Sequence, residues 1–553
     1  METPTAGEMR PEPFDKLRTA LVEGRPVPQW CEVDIALIGP DVANPYTDVD
    51  AWVIFTHASG RQLRRPVFWD GETTYRVRFA STQPEGEWQW SIHTAKPDHD
   101  FQPAHGTVVA GPPIRDHPHR AVARGFARAH PSGRSFCYAD GSPAFWVIDT
   151  AWAMPFRATV SDVETYARDR QAKGFNGVFL MTVQPDMNAR GPVGRNVDEG
   201  FEIGFHDLAE GRLTKINVAY FQYFDKIIDT LINHGITPVL QPVFHGFGWK
   251  GLGVAGPVVP PADYARYCRY LVARYGARPA IYLPCGDGSG TEPQVEAGGY
   301  EIHAWDAYGQ ATGIHYRPHH RNDEHQGADW LDFQSCQTGH TGDHVPDRLA
   351  TMWVQRPHKA IMNGEPSYEH SGRRGVAEGW WQGHEAWSNL CAGALAGVAY
   401  GAASLWPWRL HPNEPGHGAY FLYEGAGWRE ALDFEGSRYV GLVGKIIDDL
   451  PITEASPCWD VSANTRGLLD PGVLYIGYAE HGGPWMFFDA DGRVPSKYWL
   501  IDPRGGEVLK SGERPPNYVP IEFDRYEPSI LICAETTPAW VRAAQVLSNA
   551  PVH

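Results

Sequence analysis

The chain has 553 residues, a formal charge of −18, 42% hydrophobic residues and 12% aromatics, with 21 Trp among them. That length exceeds one ordinary domain, and the apolar fraction suffices for several cores. The acidity argues against nucleic acid and anionic membranes as partners, because phosphate binding needs a basic stripe.

The start, Met1 to Arg25, is polar and Pro-containing and lacks the basic-then-apolar pattern of an export signal. No run of about 18 apolar residues is present, so no membrane span is expected. The eight cysteines form no CxxC pair, which disfavours a zinc ribbon. In a signal-less chain they read as reduced, buried thiols, and the expected location is the cytoplasm.

Residues 27–112 read as short strands. "CEVDIALIG", "AWVIFTH", "TYRVRFAS" and "GEWQWSIHT" are β-branched or aromatic and separated by turn clusters. This spacing predicts a β-sandwich; Trp52, Trp69, Trp88 and Trp90 are weighed as its core against a glycan platform, and the core reading is preferred. Residues 113–135 are aperiodic and are read as a linker.

From 136 to 454 the rhythm becomes strand–helix. The predicted strands are "AFWVIDTAW", "NGVFLMTVQP", "ITPVLQPVFHG", "AIYLPCGDG", "GIHYRPHH", "DFQSCQTGH", "KAIMNGEPSYE" and "GVAYGAASLWPW". Helices fall between them; the first is read with Ser161 as N-cap and Glu164 closing a capping box. Eight βα units of this total length fit a (β/α)8 TIM barrel better than an open sheet. No Gly-rich nucleotide-binding fingerprint follows any strand. Strands return over 455–545, read as a second β-sandwich. The expected fold is thus multidomain, α/β plus all-β, with a central barrel between two sandwiches.

In such a barrel the active site lies where strands end and βα loops begin. Asp287 follows an apolar strand in "LPCGDGSG", and Glu365 ends the seventh strand in "AIMNGEPSYE". Strands four and seven lie across the barrel axis, so the two carboxyls would face each other. Glycoside cleavage needs such a pair, one to protonate the leaving oxygen and one to attack the anomeric carbon or activate water. Asn363 and Tyr368 are near enough in sequence to orient Glu365. A carboxylate at a strand end also serves as a helix N-cap or ion-pair partner; the pairing gives these two their weight.

The same rule nominates Asp149, Trp152, Gln184, Asp186, His245, Trp249, His319, Gln334, His340, Tyr368 and Trp406 as substrate-binding residues. Trp408 is weighed as a platform or a core residue. The cluster "HYRPHHRNDEH", with His315, His319 and His320, invites a metal reading, but its spacing establishes no ligand geometry. Neither metal nor organic cofactor is expected. Cys285 and Cys336 lack a base at a telling spacing and are not read as nucleophiles.

The stretch "HPHRAVARGFARAHPSGRSFCYADGSPAFWVIDTAW" resembles the opening of the apiosidase-like glycoside hydrolase domain. "GFNGVFLMTVQP", "DFQSCQTGH" and "MNGEPSYE" are similar to its later motifs. "NPYTDV", "FWDGETTYRVRF" and "EGEWQW" look like the β-sandwich that precedes that barrel, and "YWLIDPRGGEV" like its small C-terminal β-domain. The resemblance implies an acid/base Asp after strand four and a nucleophilic Glu after strand seven, matching Asp287 and Glu365. "CGDGSG" and "QSCQTGH" depart from the family pattern at loops that would touch the sugar.

The expected activity is that of a retaining, exo-acting glycosidase removing a terminal furanose or pentose, apiose first. A small carbohydrate or glycoside is the partner, and a homo-oligomer is left open. Three rivals remain: an endo-acting β-glycanase, a non-catalytic carbohydrate-binding scaffold, and a metal-dependent hydrolase using the His cluster.

Overall fold

The computed structural model describes residues 19–20, 25–183, 204–245, 258–318, 320–340, 347–371, 377–414, 425–463 and 465–548. Its centre is one eight-stranded parallel sheet. The strands are β1 (Trp146–Thr150), β2 (Gly177–Met181), β3 (Thr237–Gln241), β4 (Ile281–Gly288), β5 (Thr312–Tyr316), β6 (Phe333–Gln337), β7 (Ala360–Glu365) and β8 (Gly397–Tyr400). Each is a near-continuous buried run, as expected of strands covered on both faces. β8 returns to pair with β1, and Ala396 N–H donates to the Ile361 carbonyl at 3.2 Å, drawing the two ends into a TIM-like barrel.

The outer layer contains α1 (Val160–Lys173), α2 (Val218–Asn233), α3 (Pro261–Tyr275), α4 (Pro293–Trp305), α5 (Asp347–Trp353), α6 (Trp380–Cys391) and α7 (Gly436–Ile447). α1 starts two residues earlier than its sequence suggests. Thr159 is the N-cap, and Asp162 rather than Glu164 closes the capping box. Ser161 lies inside the first turn. Both pairs have the spacing of a capping box, and the extended backbone at Thr159 decides between them.

N-terminal to the barrel, a four-stranded and a five-stranded sheet share a core of Val33, Ile35, Val53, Phe55, Val77, Phe79, Trp88 and Trp90. Ala51–His57 alternates buried and half-buried residues along its length, the period expected of a sandwich strand. The segment read as a linker has structure of its own. A helix at Arg120–Arg124 is followed by a small three-stranded sheet built from Arg128–Ala129, Phe136–Cys137 and Pro143–Ala144.

The sandwich is fastened to the barrel through buried charge. Arg78 reaches Asp225 of α2 at 2.6 Å, and Arg274 of α3 reaches Asp225 at 2.8 Å and Asp70 at 2.9 Å. Arg278 pairs with Glu32 at 2.7 Å. Burial alone would raise the Asp225 carboxyl, but Arg274 and Arg78 hold it well below the usual carboxylate range.

The C-terminal strands form one six-stranded sheet. One face (Leu468, Ile476, Trp499, Ile530, Ile532) joins the core continuous with the barrel. The other (Tyr475, Leu500, Leu531, Cys533) is covered by Trp485, Phe487 and Ile521. All eight cysteines are free thiols, seven of them buried. No helix among the described residues is long and apolar enough to cross a membrane.

Candidate active site

Two irregularities at the C-terminal ends of the barrel strands shape the site. In β4, Gly286 pairs with His315 and Gly288 pairs with Tyr316, leaving Asp287 as the extra residue of a bulge. Asp287 takes φ +58°, a left-handed conformation rare for a residue with a side chain. In β7 the register runs Cys336–Asn363 and then Gln337–Glu365, so Gly364 is bulged. A Cβ at Gly364 would lie 2.1 Å from Ser335 Oγ, so only glycine fits. A bulge re-aims the residues around it, and here each precedes or carries one of the two candidate carboxylates.

Those carboxylates come together. One oxygen of Asp287, one of Glu365 and a ring nitrogen of His315 all lie within 4.8 Å of one another. Asp287 is 4% exposed, and its Oδ1 accepts from the Gln337 amide at 2.7 Å. Glu365 is engaged at both oxygens, by His340 Nε2 at 3.0 Å and His315 Nε2 at 3.2 Å. Tyr368 N–H donates to His340 Nδ1 at 3.1 Å, which leaves the proton of the neutral ring on Nε2, directed at Glu365. Burial would raise the Glu365 carboxyl, and the hydrogen bonds from His315 and His340 more than offset it, holding the group well below the usual range.

A surrounding set of residues fixes this geometry. Trp152 stacks on Phe179 with centroids 5.1 Å apart and presents an edge to His315 at 5.5 Å. Tyr368 is buried with its ring 4.2 Å from that of His340; burial and then the Glu365 charge push its phenol well above the ordinary value. Asn363, with its oxygen facing Thr338, donates to the carbonyls of Cys336 and Glu365 at 3.2 Å each. It therefore holds backbone, not the carboxylate. Glu385 of α6 accepts from Ser367 N–H at 3.1 Å and from the Trp381 indole at 3.2 Å, tying down the turn after Glu365.

Of the residues nominated from sequence, Asp287, Glu365, His340, Tyr368 and Trp152 converge here. Asp149 does not. It is fully buried, with Oδ2 accepting from Arg170 at 2.6 Å and Tyr166 at 2.9 Å and Oδ1 from Thr150 N–H at 2.8 Å, so it anchors α1 to β1. Gln334 also turns away, donating to the Glu324 carbonyl and to Gln326, each at 2.9 Å. His245 is buried beside Gly288 and Tyr264, and burial pulls its ring down to about 4 despite the nearby Glu292 charge. Trp406 is half-buried in the turn six residues beyond β8, while Trp408 is a core residue stacked on Trp428 at 4.5 Å. Gln184, Asp186, Trp249 and His319 lie outside the described residues.

Two contributors were not on that list. Gln337 lies three residues beyond Gln334 on the same strand, and strand alternation from Ser335 would have pointed to it. His315 stands at a strand end in the sequence but was weighed there as part of a metal-like cluster and not carried forward as a substrate-binding residue. Asp287, His315 and Glu365 are the described residues that could hold a cation.

The model of the family described as "Apiosidase-like, catalytic domain" matches residues 130–454. A second, described as a domain of unknown function (DUF5060), matches residues 26–95. No curated protein matches the chain. Among solved structures, a glycoside hydrolase family 5 protein from Bacteroides vulgatus is 21% identical, with a TM-score of 0.64 over 75% of this chain and 94% of its own. A second protein of that organism, provisionally described as a glycoside hydrolase, is 18% identical, with a TM-score of 0.67 over 92% of this chain and 99% of its own. These two likenesses concern the fold.

Proposed function

The chain belongs to the apiosidase-like family, whose matched model is a catalytic domain, and on that premise we propose that it is a retaining, exo-acting glycosidase using Glu365 and Asp287. The family gives the class, a glycoside hydrolase acting on carbohydrate. One observation carries the finer reading: carboxylate oxygens of Asp287 and Glu365 approach within 4.8 Å. Retaining enzymes hold their carboxyl pair about 5–5.5 Å apart, whereas inverting ones leave about 6.5–9.5 Å for a water.

Glu365, kept ionised by His315 and His340, attacks the anomeric carbon. The glycosidic C–O bond breaks as Asp287 donates its proton to the departing oxygen. Asp287, now a carboxylate, takes a proton from water, whose oxygen displaces Glu365 from the sugar. The Gln337 amide holds Asp287 at one oxygen and so fixes the carboxyl beside Glu365. Apiose is the first candidate for the sugar released, with other terminal furanoses and pentoses next; exo action is carried by the family resemblance.

The test is a panel of aryl glycosides and apiose-containing oligosaccharides, with wild type and Glu365→Gln side by side. Wild type is expected to release one terminal sugar and the variant to lose several orders of magnitude in turnover. Equal turnover by the two would remove Glu365 from the mechanism.

A further inference from the structure

A cavity of about 420 Å³ lies on the flank of the barrel, where the N-terminal sandwich meets α3. Its α3 wall is a single helix face: Ala262, Ala265, Arg266, Arg269, Tyr270 and Ala273 recur at helical spacing. The three alanines leave the space that larger side chains would fill. From Ala262 to Ala273 the wall runs about 16 Å at the rise of an α-helix. Because α3 follows β3, its first turn lies at the end of the barrel that carries Asp287 and Glu365. The cavity therefore extends down the flank from the catalytic rim.

The opposite wall comes from the sandwich and includes Trp69. Trp88 and Trp90 are buried in the sandwich core, as strand alternation requires. Trp69 is only partly buried and packs between that core and the barrel. Its indole N–H is used on the Glu72 carbonyl at 2.8 Å, which fixes the ring at the cavity wall.

The charges of this cavity are balanced: Asp50 and Glu301 stand against Arg266 and Arg269. Arg269 pairs with Asp50 at 2.5 Å and lies 3.7 Å over the Trp305 ring, and Arg266 pairs with Asp263 at 3.2 Å. Both cations are thus engaged, so an anionic ligand would have to break an existing pair. Burial raises the Glu301 carboxyl, partly offset by Arg269. Aromatic walls with balanced polar groups, in an interdomain crevice of this volume, suit an uncharged polyhydroxyl ligand.

We propose that this crevice is a second, non-catalytic saccharide site, which holds a neutral glycan segment against Trp69 while the chain end is cut at the barrel mouth. The proposal rests on the glycan substrate argued above. It is tested by affinity gel electrophoresis in xylan, arabinan and arabinogalactan, with polygalacturonate as the charged comparison. The parent protein is Glu365→Gln, so that no polymer is degraded. Trp69→Ala removes the platform, and Ala265→Phe fills the cavity from its barrel side.

At least one neutral polysaccharide is expected to retard the parent, and both added substitutions to weaken that binding tenfold or more. In the wild-type background, Trp69→Ala and Ala265→Phe should leave turnover of small aryl glycosides within twofold. No retardation by any neutral polymer, retardation unchanged in both variants, or retardation by polygalacturonate alone would overturn the site. A wild type that binds polymer through Trp69 but cleaves no glycoside would sink the reaction and leave the site standing.

Discussion

His340 Nε2 lies 3.0 Å from Glu365 Oε1, and the Tyr368 amide on its other nitrogen settles which end of the ring carries the proton. The carboxylate is thereby oriented by a donor that is itself oriented. His340→Ala should lower kcat by roughly 10²–10³-fold, the scale of losing one preorganised donor, with a smaller change in KM. His340→Gln, which can still present an N–H, should recover part of the loss. Steady-state kinetics on the best aryl glycoside checks this, and a pure KM effect would assign His340 to substrate binding.

Asp225 accepts from two fully buried arginines, Arg78 and Arg274, that come from different domains. Asp225→Ala leaves both without their shared counter-ion. Breaking a buried pair from one side costs about 3–5 kcal/mol. Urea unfolding should show that loss, and a change below about 1 kcal/mol would mean that the network contributes little to joining sandwich and barrel.

Asp332, just before β6, has its carboxyl pushed up to about 7 by burial, with the Thr312 amide and Lys359 offsetting only part of it. An unfolded Asp titrates near ~4. Between these values the folded state binds more protons than the unfolded chain. The stability from this group is therefore fully present below about pH 4 and lost as pH rises to about 7. Asp332→Asn should raise stability by ~1–2 kcal/mol at pH 8, after discounting for its partial exposure, and leave it nearly unchanged at pH 4. Thermal melts at the two pH values decide it, and an equal effect at both would rule out titration as the cause.

Asp287, His315 and Glu365 are close enough to grip one cation. Their ligand atoms are already committed: Gln337 donates to Asp287, and both Glu365 oxygens face imidazole nitrogens. Turnover should survive exhaustive EDTA treatment, and metal analysis should find far less than one equivalent per chain. Loss on chelation with recovery on adding back a divalent ion would move the chemistry to a metal.

Most of the barrel strands were legible because buried parallel strands are near-continuous apolar runs, although β6 (Phe333–Gln337) carries two Gln and a Ser. Asp287 and Glu365 were legible because each closes such a run. Their neighbours were less so. Strand alternation assigns side chains correctly only until a bulge shifts it, and the bulges at Asp287 and Gly364 sit at the site itself. On β6, where neither extra residue lies, Gln334 was chosen although Gln337, two residues after Ser335 and on its face, is the one that reaches Asp287. Asp149 looked like a ligand because its partners, Tyr166 and Arg170, lie on the next helix. The buried charges between sandwich and barrel left no local trace, since Arg78 and Asp225 are 147 positions apart.

The division of labour between Glu365 and Asp287 can be tested by trapping. Asp287→Ala incubated with an aryl glycoside bearing a good leaving group needs no acid for the first step but lacks the base for the second. The account predicts a burst of phenol, a protein mass increased by one sugar residue, and a peptide map placing that sugar on Glu365. A sugar on another residue, or multiple turnovers with inverted product and no adduct, would contradict it.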